Sequence, residues 1–494
     1  MLYNFNWLKQ GELFPPRTEI PRMKSYRDNE ALFFGDSHLV LDAYLKRLHE
    51  IIVGLKEKDN VSMTFFDIPN YWQLISLKTA DLTVGESPVI KCKQNKDALN
   101  KAIEYSDLFN KLTEMVFDID SLGDCVVVPY IDELGFRTFS VNNPALWLPI
   151  VNPENVKEVL YDCICWTVCV QQDVKYPLNS KYELHCKVQK RGEMTYTLKK
   201  FSITSHQIKE YIHAETDENC GNIHFFRIGK QISEEIKTAP YKQAVIQFPG
   251  ITTSRNIYGI SNYERVTSIV GEIAIREALA SFILDENSAP RMASPEGSFV
   301  KNKDGRWVLK TGGKNFVVKP GESPPIYVTW DGNLTSNEAR IVELKKELYA
   351  MSEMGTIISH DDLNSSQGFD ALDVKMTNPK LKARRICTRL QKPLKELLRY
   401  LINSPDADID IIFKYGLPPT KTQKLDMAIK ERTIGKSKQT VFVEYCDMSE
   451  ENAEQEVEKA LEEEPNNPFM GGFTQQNGLH ENNNTDDGLE DEER

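Results

Sequence analysis

The 494-residue sequence lacks the short motifs that mark the common enzyme classes. It has no nucleophile elbow, no zinc-protease helix and no glycine-rich dinucleotide fingerprint. Gly435-Lys436-Ser437 resembles the end of a phosphate-binding loop, but Lys430 stands where that loop needs glycine, and no hydrophobic strand leads into it. Ser437 therefore reads as a helix cap or turn residue. The nine cysteines are odd in number and form no CxxC pair, which suits a reducing compartment. Cys163, Cys165 and Cys169 lie near His185 and Cys186, yet Cys163 and Cys165 fit an alternating strand, so buried thiols are expected rather than a metal site. His360-Asp361-Asp362 reads as the first turn of a short helix capped by Ser359, since two adjacent carboxylates make a poor cation site. No apolar run is long enough to span a bilayer. Met1-Leu2-Tyr3-Asn4 does not open a basic-then-apolar leader, so no signal peptide is expected. No internal repeat is present.

Charge is abundant but uneven. The chain carries −13 in total. From Glu444 to Arg494 there are 17 acids against Lys459 and Arg494, a net of −15, so the preceding 443 residues sum to +2. An acidic pI thus excludes nothing about contact between the body and nucleic acid. Beyond Pro465 the text is Asn, Gly, Gln and Asp/Glu, with little to bury, and disorder is expected.

The central stretch runs from Tyr258 to Met354. Tyr263, Val266, Val270, Ile273 and Ala274, then Leu279, Phe282 and Ile283, predict an amphipathic helix. A second follows from Asn337 to Met354, with Ile341, Leu344, Leu348 and Met351 in a seam and Ser336 or Asn337 as its cap. Between them Phe299-Val300, Trp307-Val308-Leu309, Phe316-Val317-Val318 and Ile326-Tyr327-Val328 are separated by Gly and Pro turns and predict short strands. The plainer reading is an ordinary helical hairpin in a core.

Upstream, helices are expected over Leu39 to Leu55, Leu74 to Val84 and Asp97 to Phe117. Strands are expected at Val89-Ile90-Lys91, over Gly123 to Tyr130, and through much of Val141 to Ile232, with Val245 to Gly250 closing that region. Downstream, a helix over Pro379 to Ile402 places Ala383, Ile386, Leu390, Leu394, Leu397 and Leu401 on one face, and Pro393 should kink it. Lys382, Arg385, Arg389, Lys392 and Arg399 recur at three, four or seven residues on its other side. That is either a DNA-facing strip, a set of subunit contacts or a solvated face; without interleaved aromatics it could make only phosphate contacts. A strand over Asp408 to Tyr415 and helices over Thr422 to Thr433 and Ser449 to Glu464 follow.

This order of elements resembles the portal protein of tailed bacteriophages. Thr79 to Pro88, Gly123-Asp124 with its strand, Asp132-Glu133-Leu134-Gly135, Gly259-Ile260-Ser261, Ala289-Pro290-Arg291, and Gly435 to Thr440 with Asp447 and Glu450 to Glu464 carry the likeness. The resemblance implies an α+β protein with a wing (1–258), a first stem helix (259–285), a β-rich clip (286–334), a second stem helix (335–356) and a channel loop (357–378). A long kinked wing helix with its return strand (379–420), a helical crown (421–464) and an acidic tail (465–494) complete it. It implies a closed ring, a dodecamer, at the capsid vertex of a virion, assembled in the host cytoplasm. Double-stranded DNA would pass its channel; the terminase large subunit, a head-completion adaptor, and capsid and scaffolding proteins would be partners, with no membrane, cofactor or catalysis. On this resemblance Ser359, Asp362, Asn364, Ser365, Gln367 and Lys375 would face the channel. Arg291, Lys301, Trp307, Lys314 and Tyr327 would lie on the docking clip. The alternative is a nucleic-acid-processing enzyme or packaging-motor subunit; the absence of a phosphate loop and catalytic cluster weighs against it.

Overall fold

The computed structural model describes residues 1–36, 68–93, 95–171, 181–204, 226–288, 335–358, 374–415, 421–445 and 450–463. The short pieces 291–293, 299–301, 307–309 and 326–328 and positions 41, 44, 46, 47, 50, 303 and 448 are also described. The expected helix from Leu39 to Leu55 therefore falls largely outside them, as do the strand at Phe316 to Val318 and the tail. The architecture is mixed α+β, in two compact units, residues 1–416 and 417–494.

In the first unit, β1 (Leu13–Phe14) and α1 (Ile20–Phe34) precede α2 (Tyr71–Val84), β2 (Val89–Cys92), α3 (Lys96–Ser106) and α4 (Leu108–Ser121). The last two were expected as one helix. Asp107 breaks them by adopting a left-handed conformation, φ 52°, which aspartate tolerates better than most side chains. Asn110 Nδ2 donates to Asp107 Oδ1 at 2.8 Å across the break.

Next come β3 (Asp124–Ile131), β4 (Arg137–Asn142) and β5 (Ile150–Val151). The β3–β4 turn is closed by Asp132 Oδ1, which accepts from the Leu134 and Phe136 backbone N–H groups. Strands β6 (Val159–Gln171), β7 (Lys181–Lys190), β8 (Thr195–Thr204), β9 (Phe226–Arg227), β10 (Gln231–Thr238) and β11 (Ile246–Pro249) follow. They form a five-stranded antiparallel sheet in the order β10-β8-β7-β6-β5 and a three-stranded sheet β11-β3-β4, while β1 pairs with β9. Alternation along β6 is visible in its packing: Cys163 and Cys165 join one core with Leu184, Cys186 and Phe201, and Ile164 joins another with Trp147.

The central helices are α5 (Tyr263–Ser288) and α6 (Thr335–Ser352). They are antiparallel: Arg265 meets Glu353 near one end, and Asn337 Nδ2 donates to the Arg276 carbonyl toward the other. Between them lie β12 (Arg291–Ala293), β13 (Phe299–Lys301), β14 (Trp307–Leu309) and β15 (Ile326–Val328), pairing as β12-β15 and β13-β14. Tyr263, Val266, Val270 and Ile273 are buried with Leu344 and Leu348, as the spacing predicts. Two expectations fail here. Met351 is 48% exposed, outside the seam, and Ser336 and Asn337 lie inside the helix rather than capping it.

After α7 (Gly355–Ile358), α8 (Thr377–Leu401) runs through Pro393, and β16 (Ile409–Ile412) pairs with β2. The six expected apolar positions of α8 are all buried, most of them against α4, β3 and β11. The second unit contains α9 (Lys421–Thr433), α10 (Lys438–Tyr445) and α11 (Glu450–Glu463). Helix α10 was not anticipated, although its cap was: Ser437 Oγ accepts from the Thr440 N–H at 3.1 Å. Among the described residues no helix is long and apolar enough to cross a membrane.

Candidate functional site

Two of the sequence landmarks, Gly123-Asp124 and Gly259-Ile260-Ser261, meet in space where the chain enters α5. Gly123 has φ +89°, and Gly250 N–H donates to its carbonyl at 2.8 Å. A Cβ on Gly259 would stand 1.8 Å from that carbonyl oxygen, and one on Gly123 would stand 2.7 Å from the Ile260 carbonyl carbon. The contact is backbone against backbone, so only glycine fits on either side.

Asp124 seals one flank. Its buried carboxylate accepts from Tyr26 Oη at 2.6 Å, from Gln247 Nε2 at 2.9 Å and from the Gly259 N–H at 2.9 Å. Burial pushes its pKa above the usual carboxylate value, and these donors with the Arg22 charge partly offset the rise. Burial and the adjacent Asp124 likewise push the Tyr26 phenol up. Arg22 stacks 4.1 Å from the Tyr258 ring centroid and donates to the Pro144 and Trp147 carbonyls, both at 3.0 Å.

Asp120 holds the other flank. It is fully buried at the end of α4 and accepts from Ser76 Oγ at 2.8 Å and from Asn262 Nδ2. Its backbone carbonyl takes the Asn262 N–H at 3.0 Å, and Ser76 also meets Tyr263 Oη at 2.8 Å. Ser261 Oγ donates to the Ser121 carbonyl and accepts from the Tyr263 N–H, an oxygen cap on the first turn of α5. Opposite stands Lys382, whose Nζ lies 3.0 Å from Asp120 Oδ1 and 2.9 Å from Thr79 Oγ1. It reaches the Ser352 carbonyl at the end of α6 as well, at 3.4 Å.

The expected basic strip is thereby corrected at its first member. Lys382 is 3% exposed and spends its charge on an internal carboxylate, so it faces neither a channel nor a neighbour. Arg385 is bonded to Glu353, Arg389 to the Gly250 carbonyl and Arg399 to the Ala407 carbonyl at 3.0 Å. Lys392 is exposed. Periodicity placed these residues on one side of α8 but could not tell that this side lies partly against the body.

Lys375 is half-buried near the start of α8, and Lys301 is exposed on β13. Ser359, Asp362, Asn364, Ser365, Gln367 and Lys314 lie outside the described residues. For Arg291, Trp307 and Tyr327 only the strand positions are described, on β12, β14 and β15. Sequence reasoning missed Asp120, Ser76, Thr79, Glu353 and Arg22. The signal for Asp120 was an acid in an apolar helix, hidden by ending that helix at Phe117.

Among the described residues, the space at the junction beside Lys382, Arg385 and Arg389 is about 20 Å³, enough for one water. A larger groove of about 340 Å³ opens on the opposite side of α4, between Phe33, Phe34 and Phe117, with Glu30, Glu114 and Asp118 on its walls. Asp118 is pushed up to about 7, chiefly by burial and then by the Glu114 and Glu30 charges. Among the described residues no group of three His, Cys, Asp or Glu side chains is arranged to hold a metal.

No family model matches the chain, and no curated protein matches it. Among solved structures, it is similar to a chain of one described as "Neck of native GTA particle computed with C12 symmetry". The TM-score is 0.41 at 12% identity, over 75% of this chain and 88% of that one. A likeness that loose assigns neither fold nor function. The chain is a mixed α+β protein in which two long antiparallel helices, joined through short strands, are anchored at one end by buried carboxylates.

Proposed function

We propose that the chain is a portal protein of a tailed bacteriophage, a non-enzymatic ring subunit through which double-stranded DNA passes. The observation that carries the reading is the order of elements around the junction. An α+β body delivers the chain through a glycine contact into α5, which with α6 brackets four three-residue strands before α8 returns to the body. In this reading α5 and α6 are the stem, the paired short strands are the clip, and α9 to α11 are the crown. The rigid entry into α5 suits a subunit that must hold a long helix pair at a fixed angle beside its neighbours. Short strands such as β12 to β15 suit pairing with a neighbouring clip, where terminase and later the adaptor would dock. A ring at the capsid vertex with twelve subunits is the assembly proposed, with capsid and scaffolding proteins around it.

The ion pairs of Lys382 and Arg385 and the bond of Arg399 to a backbone carbonyl, all within the chain, support a conduit that does not grip DNA. One strong phosphate contact per subunit, repeated around a ring, would stall translocation. Native mass spectrometry with negative-stain imaging tests the proposal. Rings with a central hole and a mass near twelve chains are expected; a strictly monomeric protein that cleaves nucleic acid or hydrolyses ATP would replace this reading with the enzyme one.

A further inference from the structure

Several helices in the first unit end on a residue in the left-handed region, Asp107 after α3 and Gly123 after α4 among them. After α1 it is Gly35, φ 90°, with Asp36 N–H donating to the Ala31 carbonyl at 2.8 Å. After α8 it is Asn403, φ 52°, with Ser404 N–H donating to the Arg399 carbonyl at 3.0 Å. Glycine and asparagine are the residues that terminate helices this way at little cost. After α6 the same position is Glu353, φ 59°. A long side chain gains nothing locally from this conformation and bears its steric cost.

Something else must hold Glu353 there, and its carboxylate shows what. Oε1 lies 3.3 Å from Arg265 at the start of α5, and Oε2 is bonded to Arg385 on α8. A further cation at this end of α6, Lys382, points at the Ser352 carbonyl and is occupied by Asp120. Beyond the bend Met354 is fully buried in the core it shares with Leu348, and Gly355 sits so close to Tyr349 that a Cβ would stand 2.7 Å from its Cβ. The bend thus has fixed apolar footing on its far side and a charged clamp at its apex. All three charged side chains remain between a quarter and a half exposed, so salt reaches them.

We infer that Glu353 is a charge-held joint: the Arg265–Glu353–Arg385 clamp keeps a strained residue left-handed and fixes the direction in which the chain leaves α6. Screening or removing the clamp loosens the joint without unfolding the helices on either side. This inference concerns the single chain and stands whether or not the protein forms a ring.

Amide hydrogen exchange of the full-length protein, read at residues 353–357, tests it through two variants with opposite consequences. Glu353→Gln keeps the strain and removes the charge; exchange about tenfold faster is expected, matching the cost of one left-handed residue. Glu353→Gly removes strain and charge together, and exchange as slow as in the unmodified protein is expected. Raising salt to 1 M on the unmodified chain should move it toward the Gln variant and leave the Gly variant unchanged. Should Glu353→Gln not fold, Arg385→Gln removes one arm of the clamp and is expected to give a smaller acceleration at the same amides. Unchanged exchange in Glu353→Gln, or equal acceleration in the Gln and Gly variants, overturns the inference.

Discussion

Asp118 and Asp120 sit two residues apart on α4 and live in opposite worlds. Asp120 is sealed against Ser76, Asn262 and Lys382, each oxygen accounted for and a full positive charge 3.0 Å away. Asp118 faces the groove, where its nearest charges are Glu114 and Glu30, of its own sign. The two-residue step turns a helical side chain by about 200°, so one helix serves both a closed anchor and an open acidic wall. Partners, rather than burial alone, decide whether a carboxylate in this protein stabilises the fold or burdens it.

Breaking the closed side should have the largest effect. Lys382→Met preserves the stem of the side chain and leaves Asp120 buried without its counter-charge, which costs about 3–5 kcal/mol. Urea denaturation should record a lower midpoint with the slope unchanged. Adding Asp120→Asn removes the stranded charge, and the double variant should recover part of the loss. If both variants equal the parent, the sealed pair is not an anchor.

The next largest effect should come from the glycine contact that the Asp124 and Asp120 flanks enclose. Gly259→Ala forces a methyl into the Gly123 carbonyl, where backbone rather than a movable side chain must give way. A loss of about 3 kcal/mol is expected from thermal and urea unfolding, within the range for overpacking and backbone displacement. A control at Gly135, where a Cβ would meet nothing but φ is +85°, separates the contact from the conformation. Its alanine variant should lose only about 1 kcal/mol.

How far the sequence could anticipate this division follows from what periodicity measures. It counts which residues share a face, and it placed Leu390, Leu394 and Leu397 of α8 and Val266 and Val270 of α5 in the core, where they are. It could not tell that the basic side of α8 is partly interior, because a lysine paired with a carboxylate far away in the chain, as Lys382 is with Asp120, has the same local pattern as a solvated one. It ran α3 and α4 together because Asp107 breaks the helix by a backbone angle rather than by a proline or glycine. The glycines were legible as landmarks, and that Gly123 and Gly259 touch was not, since the contact is set by tertiary packing. The short strands β12 to β15 were read from their turn residues, with three of the four anticipated.

The open side gives the smallest effect and the sharpest sign. Asp118 has a folded-state pKa near 7, above the ordinary value of 3.8, so the folded state prefers it protonated. That preference contributes stability below the unfolded-state value and is lost as pH rises through about 7. Above neutrality the ionised carboxylate, beside Glu114 and Glu30, works against folding. Asp118→Asn should therefore stabilise the protein by about 1–2 kcal/mol at pH 8, a figure discounted from the full shift because the groove is open to water. At pH 5 the gain should be smaller, and it should vanish only below about pH 4, where Asp118 is protonated in the unfolded chain as well. The same substitution at Asp120 must behave in the opposite way, destabilising at both pH values, because there the carboxylate has a lysine to lose. A gain at pH 8 for Asp118→Asn beside a loss for Asp120→Asn would establish that α4 separates the two environments. Matching losses would mean that the groove supplies Asp118 with a partner of its own.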